Sequence, residues 1–285
     1  MYKDIILDVG ANSGQFSLEA AARNPDKLVI AFEPIPELAF AIRDSASRMG
    51  LSNVTVSELA ICDSGGRLPF YVSKKGDWGT SSLLQFNAEV VNSDPYWSIR
   101  EDLEQEVVIE INATTLEAFL DSIEFTGISF IKIDVQGMDA VVLRSLGKYT
   151  GLVKAGMLEL PATKRCALYR HEEEDLRSGL NLLHSMGFSV YAIKPNDPAA
   201  NEFNIYFAAA DVDVNGHEEK LSFRGMAAYD GKFFWHLPSS KPAYVNEELE
   251  RAIGENVRLQ ERIVALDKEI LRLNSEVDRL NPTEQ

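Results

Sequence analysis

The first residues that suggest chemistry are Asp8-Val9-Gly10-Ala11-Asn12-Ser13-Gly14, at the end of an apolar run. Gly10 and Gly14 let the backbone turn tightly and approach a ligand. The run is G-x-x-x-G, not the G-x-G-x-x-G of a dinucleotide site, and no Gly-Lys-Ser/Thr follows to make a P-loop. A nucleoside ligand without a pyrophosphate fits this loop. Asp8 just before it suits a cationic or amine-bearing ligand better than a phosphate. Glu33 closes the second apolar run, close to the spacing at which a carboxylate accepts hydrogen bonds from ribose hydroxyls. The alternative is an ordinary tight turn with Glu33 solvated.

Asp134 and Glu159 end two further apolar runs. In an open α/β sheet, ligands lie outside the carboxyl ends of the strands. Asp134 reads as a base or substrate anchor, or else as a carboxylate capping the next helix. Glu159 carries the same two readings. His171 follows Tyr169-Arg170 in a loop that either faces a substrate or is solvated. His184 sits in a helical apolar pattern and reads as structural. Trp78, Thr80-Ser81-Ser82 and Tyr96-Trp97 offer faces that stack on sugar rings, or fill a satellite core. Cys62 and Cys166 read as packing residues. No Cys/His cluster suggests zinc, and no spacing requires another metal.

Positioning these groups requires alternating strands and helices. Strand signals fall at 3–9, 28–32, 54–61, 128–135, 152–160, 189–193 and 203–208, with helical patterns at 16–22, 37–49 and 139–146. Continuous apolar strands separated by helices predict a doubly wound, mostly parallel α/β sheet over residues 1–210. Residues 64–115 break this rhythm with glycines, Asp94-Pro95 and tryptophans, and read as an insertion or lid. Within it, 106–111 alternates like an edge strand. Residues 211–245 read as a β-rich appendage or linker.

From Asn246 a heptad begins. Position a falls on Leu249, Asn256, Ile263, Ile270 and Val277, and position d on Ala252, Leu259, Leu266, Leu273 and Leu280. This predicts a C-terminal coiled coil over 246–281, with a parallel homodimer favoured by the β-branched a positions and by Asn256. Asn281-Pro282 ends the helix. Val257, Val264 and Leu271 widen the apolar face, which keeps a single packed helix and a higher oligomer as alternatives.

Composition bounds the partners. The 285 residues carry 44 acidic against 28 basic side chains, a formal charge of −16. Nucleic acid as the main ligand is excluded, since phosphate binding needs a basic footprint. No apolar run approaches the roughly 20 residues of a membrane span. The first residues read as a strand, not a leader, and two cysteines fit a reducing cytoplasm.

Several of these pieces together resemble the FkbM family of class I, S-adenosylmethionine-dependent methyltransferases. They are Asp8 to Gly14, Phe32-Glu33-Pro34, Ala60-Ile61-Cys62-Asp63, Thr115-Leu116-Glu117 and Ile131-Lys132-Ile133-Asp134-Val135-Gln136-Gly137-Met138-Asp139. The resemblance covers roughly residues 4–209, and the coiled coil lies outside it. It implies S-adenosylmethionine as cofactor and O-methylation of a saccharide or natural-product hydroxyl. It puts the methionine end at Asp8, Gly10, Ala11, Asn12 and Gly14, the ribose at Glu33 and the adenine near Ala60, with Pro34 also among the cofactor-binding residues. Asp134 would lie close to the transferred methyl. The family usually has Glu at the positions of Gln136 and Asp139. Those departures motivate a second expectation, a weakly active scaffold that recruits a glycan-assembly partner through its coiled coil.

Overall fold

Apolar runs that stay buried on both faces become central strands: Gly127–Ile133 and Ala155–Pro161 are each buried at all seven residues. The computed structural model describes residues 4–170 and 174–230. The strands are β1 (Asp4–Val9), β2 (Leu28–Phe32), β3 (Val54–Ser57), β4 (Ala60–Ile61), β5 (Gly66–Val72), β6 (Val107–Thr114), β7 (Gly127–Ile133), β8 (Ala155–Pro161), β9 (Phe188–Pro195) and β10 (Glu202–Ala209). The helices are α1 (Gln15–Arg23), α2 (Pro36–Arg48), α3 (Ala88–Ser93), α4 (Leu116–Leu120), α5 (Asp139–Arg144), α6 (Leu176–Ser185), α7 (Val214–Leu221) and α8 (Ala227–Asp230).

Seven strands form one sheet in the order β3-β2-β1-β7-β8-β10-β9. Its pairs are parallel except that β10 runs antiparallel to both β8 and β9. Side chains alternate between the faces with period two. Leu7, Ile131, Ile133, Leu158 and Phe207 fill one face. Ile6, Phe130, Met157 and Tyr206 fill the other, against Phe16 of α1 and the segment around α7 and α8. The helix starts follow local chemistry. Pro36 opens α2, where its missing N–H costs nothing. Asp175 and Ser178 form a capping box on α6.

Three expectations change. The 54–61 run splits into β3 and β4, which belong to different sheets, because Glu58 and Leu59 turn the chain between them. The 106–111 alternation is not an edge: β6 lies between β4 and β5 in a three-stranded sheet. It alternates because one face of that small sheet is exposed. The described part of the 211–245 appendage is helical, not β-rich. Phe223, Met226 and Tyr229 are buried against the main sheet, with Phe223 at 5.1 Å and Tyr229 at 5.7 Å from the Phe130 ring. The folded body therefore runs past 210 to Tyr229. The coiled coil expected at 246–281 and His171 lie outside the described residues.

Candidate active site

The β1–α1 loop is built from left-handed residues: Gly10 (φ +82°), Asn12 (φ +50°) and Gly14 (φ +79°). The Gly10 and Ala11 N–H groups donate to the Phe32 carbonyl at 3.1 and 3.0 Å, tying the loop to the end of β2. A Cβ on Gly10 would stand 1.8 Å from the Asp134 carbonyl oxygen, so only glycine lets β1 end against β7 there. At Gly14 a Cβ would stand 2.8 Å from Ile42 of α2, so that glycine serves helix packing.

Asp8 is fully buried below the loop. It accepts from Ser17 Oγ at 2.6 Å and lies 3.5 Å from the Lys132 ammonium. Burial pushes its pKa up, against the pull of Lys132 and Ser17. Gly10, Ala11 and Asn12 line a cavity of about 620 Å³, but Asp8 and Gly14 do not. Of the residues expected at the methionine end, those two lie outside the cavity lining: Asp8 meets Ser17 of α1 and Lys132 of β7, and Gly14 lies against α2.

Glu33 follows β2 and is only 4% exposed, which removes the solvated-turn reading. Its carboxylate accepts from the Asn12 N–H at 2.7 Å and the Ile35 N–H at 2.9 Å. Burial raises its pKa to about 7, although both backbone donors pull it down. Pro34, Ile35, Leu59, Ala60 and Ile61 extend the cavity wall beside it as a largely apolar slot. A carboxylate with spare lone pairs next to an apolar slot fits the hydroxyls and base of a nucleoside. It does not fit a phosphate. A cavity of this volume is also in the range that holds small ligands and cofactors.

Three strands away along the sheet, about 14 Å at ordinary strand spacing, the same cavity meets a polar wall. Period two explains its members. Glu159 on β8 stands opposite Asn204 on β10, and Glu202 lies two residues further along the same face. All three line the cavity, with Lys132, Asp134 and Gln136. Lys132 Nζ lies 3.0 Å from Asp134 Oδ2. Gln136 Nε2 donates to Asp134 Oδ1 at 2.8 Å and to Glu159 Oε2 at 3.0 Å. Asn196 Nδ2 donates to Glu159 Oε1.

The charges there are graded. Withdrawal from water pushes Asp134 up, but Lys132 and the Gln136 amide more than offset this and hold it below its ordinary value. Burial raises Glu159 well above the carboxylate range, reinforced by Glu202 and Asp134. Glu202 is raised to about 8 by burial and by Asp197. Burial alone would lower Lys132, but Asp134 and Asp8 keep it charged. Asp134 does not cap α5, whose start carries no side-chain cap bond; the buried Asp139 that opens this helix ties other segments together instead. Its oxygens accept from the Val135 N–H at 3.3 Å and the Glu159 N–H at 3.1 Å, bracing β7 against β8.

Part of the insertion covers this wall. Trp78 and Thr80 line the cavity. Trp97 is 1% exposed and packs with Val90, Leu168 and Tyr169, so it mainly builds a satellite core. Arg100 reaches Asp102 through Nε at 2.9 Å and Asp77 at 3.5 Å. His184 is exposed at the end of α6 and is not a packing residue. The sequence reading missed Gln136, Asn196, Glu202 and Asn204 as members of the wall. The signal for Glu202 and Asn204 was their alternation on the last strand, legible only once its pairing with β8 is known.

The strand order, with a reversed strand beside the edge, and the glycine loop over the β1–β7 junction define a class I methyltransferase fold of the Rossmann-like type. A family model described as the methyltransferase FkbM domain matches residues 8–164. The chain belongs to that family. It is similar to "Methyltransferase 1" of Beauveria bassiana, 24% identical over 209 residues, covering 72% of this chain and 80% of that protein. It is also similar to 2-O-methyltransferase NoeI of Sinorhizobium fredii, 27% identical over 147 residues, with 51% and 58% covered. A 70-residue stretch is 40% identical to 31-O-demethyl-FK506 methyltransferase FkbM of Streptomyces tacrolimicus, covering 24% of this chain and 26% of that one.

Proposed function

We propose that the protein methylates a hydroxyl of a saccharide or related natural product, with S-adenosylmethionine as methyl donor. The observation that carries this is one cavity joining a nucleoside slot at Glu33 to a carboxylate wall at Asp134 and Glu159. Gly10, Ala11 and Asn12 would border the methionine end, Glu33 the ribose, and Ala60 with Ile61 the base. Bound there, the sulfonium supplies a methyl group already activated for transfer. Positioning then supplies much of the rate. Asp134, paired with Lys132, receives the proton of the acceptor hydroxyl. Glu159, Asn196 and Asn204 hydrogen-bond the acceptor's other hydroxyls, and Trp78 offers a face for its ring. The relatives named for 2-O- and 31-O-methylation support oxygen as the methylated atom.

Residues 246–281 are read as a coiled coil that makes the protein a homodimer. Its two cysteines, unpaired with each other, fit a cytoplasmic setting. The test is S-adenosylhomocysteine formation over a panel of glycans and macrocyclic alcohols, with Asp134→Asn as control. Turnover with one acceptor class, lost in the variant, supports the reading. No turnover across the panel, with cofactor binding intact, favours the scaffold.

A further inference from the structure

We propose that Gln136 is a positioning residue for the transfer: its side-chain amide clamps Asp134 and Glu159 into one unit and assigns the first to receive a proton and the second to keep one. This rests on the methyltransferase reading above.

Both ends of Gln136 are fixed. Its backbone is left-handed (φ +62°) and is followed by Gly137 at φ +90°. Such a conformation at a bulky residue persists only where the surroundings impose it. The Gln136 carbonyl accepts from Ser82 Oγ at 2.6 Å. A Cβ on Gly137 would press on Tyr169 at 3.0 Å, so the turn sits tightly against that ring. The Tyr169 hydroxyl is shared between Gln136 Oε1 at 2.8 Å and the Thr80 carbonyl at 2.9 Å. With its oxygen engaged by the phenol, the amide turns its N–H groups toward Asp134 and Glu159. An amide has one acceptor oxygen and two N–H donors, and all three are used.

The remaining oxygens of the two acids differ. Asp134 Oδ2 faces the Lys132 ammonium, whereas Glu159 Oε1 faces the neutral Asn196 amide. A cation on one acid and only amides on the other place the negative charge on Asp134. The wider surroundings act in both directions. Asp8 on β1 and Asp139 on α5 oppose charge on Asp134 but keep Lys132 charged beside it, whereas Glu202 on β10, Asp134 and Asp139 all oppose charge on Glu159, and Arg100 is engaged with Asp102 and Asp77. The opposite shifts of Asp134 and Glu159 agree with this sorting. Two acids pushed apart in this way are a means of dividing acid and base roles. A glutamate at 136 would set a third carboxylate beside these two in place of the amide that donates to both.

The test reads protonation directly on the ligand-free protein, by carbon-13 NMR of labelled Asp and Glu carboxyl groups across pH. Asp134→Asn and Glu159→Gln assign the signals. In the parent protein Asp134 should be ionised and Glu159 protonated near neutral pH. Gln136→Leu should tighten proton binding at Asp134 by about ten- to a hundredfold, the worth of a charge-assisted hydrogen bond. Gln136→Glu should move it the same way through like charge, and serves if the leucine variant does not fold. Tyr169→Phe should give a smaller shift of the same sign. Asp134 unmoved in the Gln136 variants, or Glu159 ionised before Asp134 in the parent, would overturn the proposal. Calorimetry with S-adenosylhomocysteine on the same parent sample reads the cofactor site separately. Failure there is failure of the methyltransferase reading and not of the proton assignment.

Discussion

Replacing Glu33 is the sharpest probe of the nucleoside slot. Each of its two oxygens already accepts one backbone N–H, from Asn12 or Ile35. An ionised carboxylate has about four acceptor sites, so about two remain for ribose hydroxyls. Those bonds favour the charged form, but burial holds the ligand-free carboxyl at about pH 7. Affinity for S-adenosylhomocysteine should therefore rise with pH through that value and level off above it. Well below it, each pH unit should weaken binding by about tenfold, or about 1.4 kcal/mol. Glu33→Gln should abolish this dependence, because an amide does not titrate. It should also cost about 3 kcal/mol, roughly a hundredfold, by turning charge-assisted bonds into neutral ones and setting an N–H against a backbone donor. Calorimetry from about pH 6 to about pH 8.5 measures both effects. A flat pH profile in the parent, or binding by the variant within about threefold of the parent, refutes the reasoning.

The same carboxyl has a stability signature without ligand. Its folded value of about 7 stands above the ordinary 4.5, so the folded state holds the proton more tightly. Its contribution is fully present below the unfolded value and is lost as pH rises through the folded one, a change of about 3 kcal/mol. Urea titrations should show this loss in the parent and not in Glu33→Gln. Asp139, also raised to about 7 by burial, adds a loss of the same sign in both proteins, so the difference between them is the quantity to read.

Gly10→Ala should destabilise by about 2–5 kcal/mol in denaturant unfolding, since the added methyl meets the Asp134 carbonyl at 1.8 Å and the backbone is left-handed. Ser17→Ala should cost about 1–3 kcal/mol by the same measurement, because it removes the 2.6 Å donor from a fully buried carboxylate. Light scattering should give a dimer mass for the whole chain and a monomer mass after deletion of residues 246–285; a monomeric whole chain refutes the coiled-coil dimer.

Much of the sheet was legible because its central strands are unbroken apolar runs, a pattern that depends only on burial of both faces. The β1–α1 loop and Glu33 were legible because tight turns and strand ends have local signatures. What failed to read depended on partners distant in sequence. Residues 54–61 carry one continuous strand signal, yet β3 and β4 pair with strands of different sheets. Around Phe223, Met226 and Tyr229 the glycines suggested an irregular strand, but those side chains are ordered by Phe16 and Phe130, about two hundred and one hundred residues earlier. The role of Gln136 was hidden for the same reason. Three of its four side-chain and backbone partners, Ser82, Glu159 and Tyr169, come from other segments.

Lys132 shows how a site leaves its mark on a core. It interrupts the apolar run of β7 and is 7% exposed, on a strand where every neighbour is buried. Removing such an ion from water costs several kcal/mol, and well-packed apolar residues in place of a buried charge group are often at least as stable. Packing therefore gives no reason for lysine there. Its ammonium lies 3.5 Å from Asp8 and 3.0 Å from Asp134. Asp8 is sealed beneath the glycine loop, while Asp134 opens into the cavity. The lysine thus links the acid buried beneath the loop to the acid that lines the cavity, and it holds the second one charged. A local rule broken at the carboxyl ends of the central strands, with its compensation aimed into the cavity, is what a site built at the expense of stability looks like.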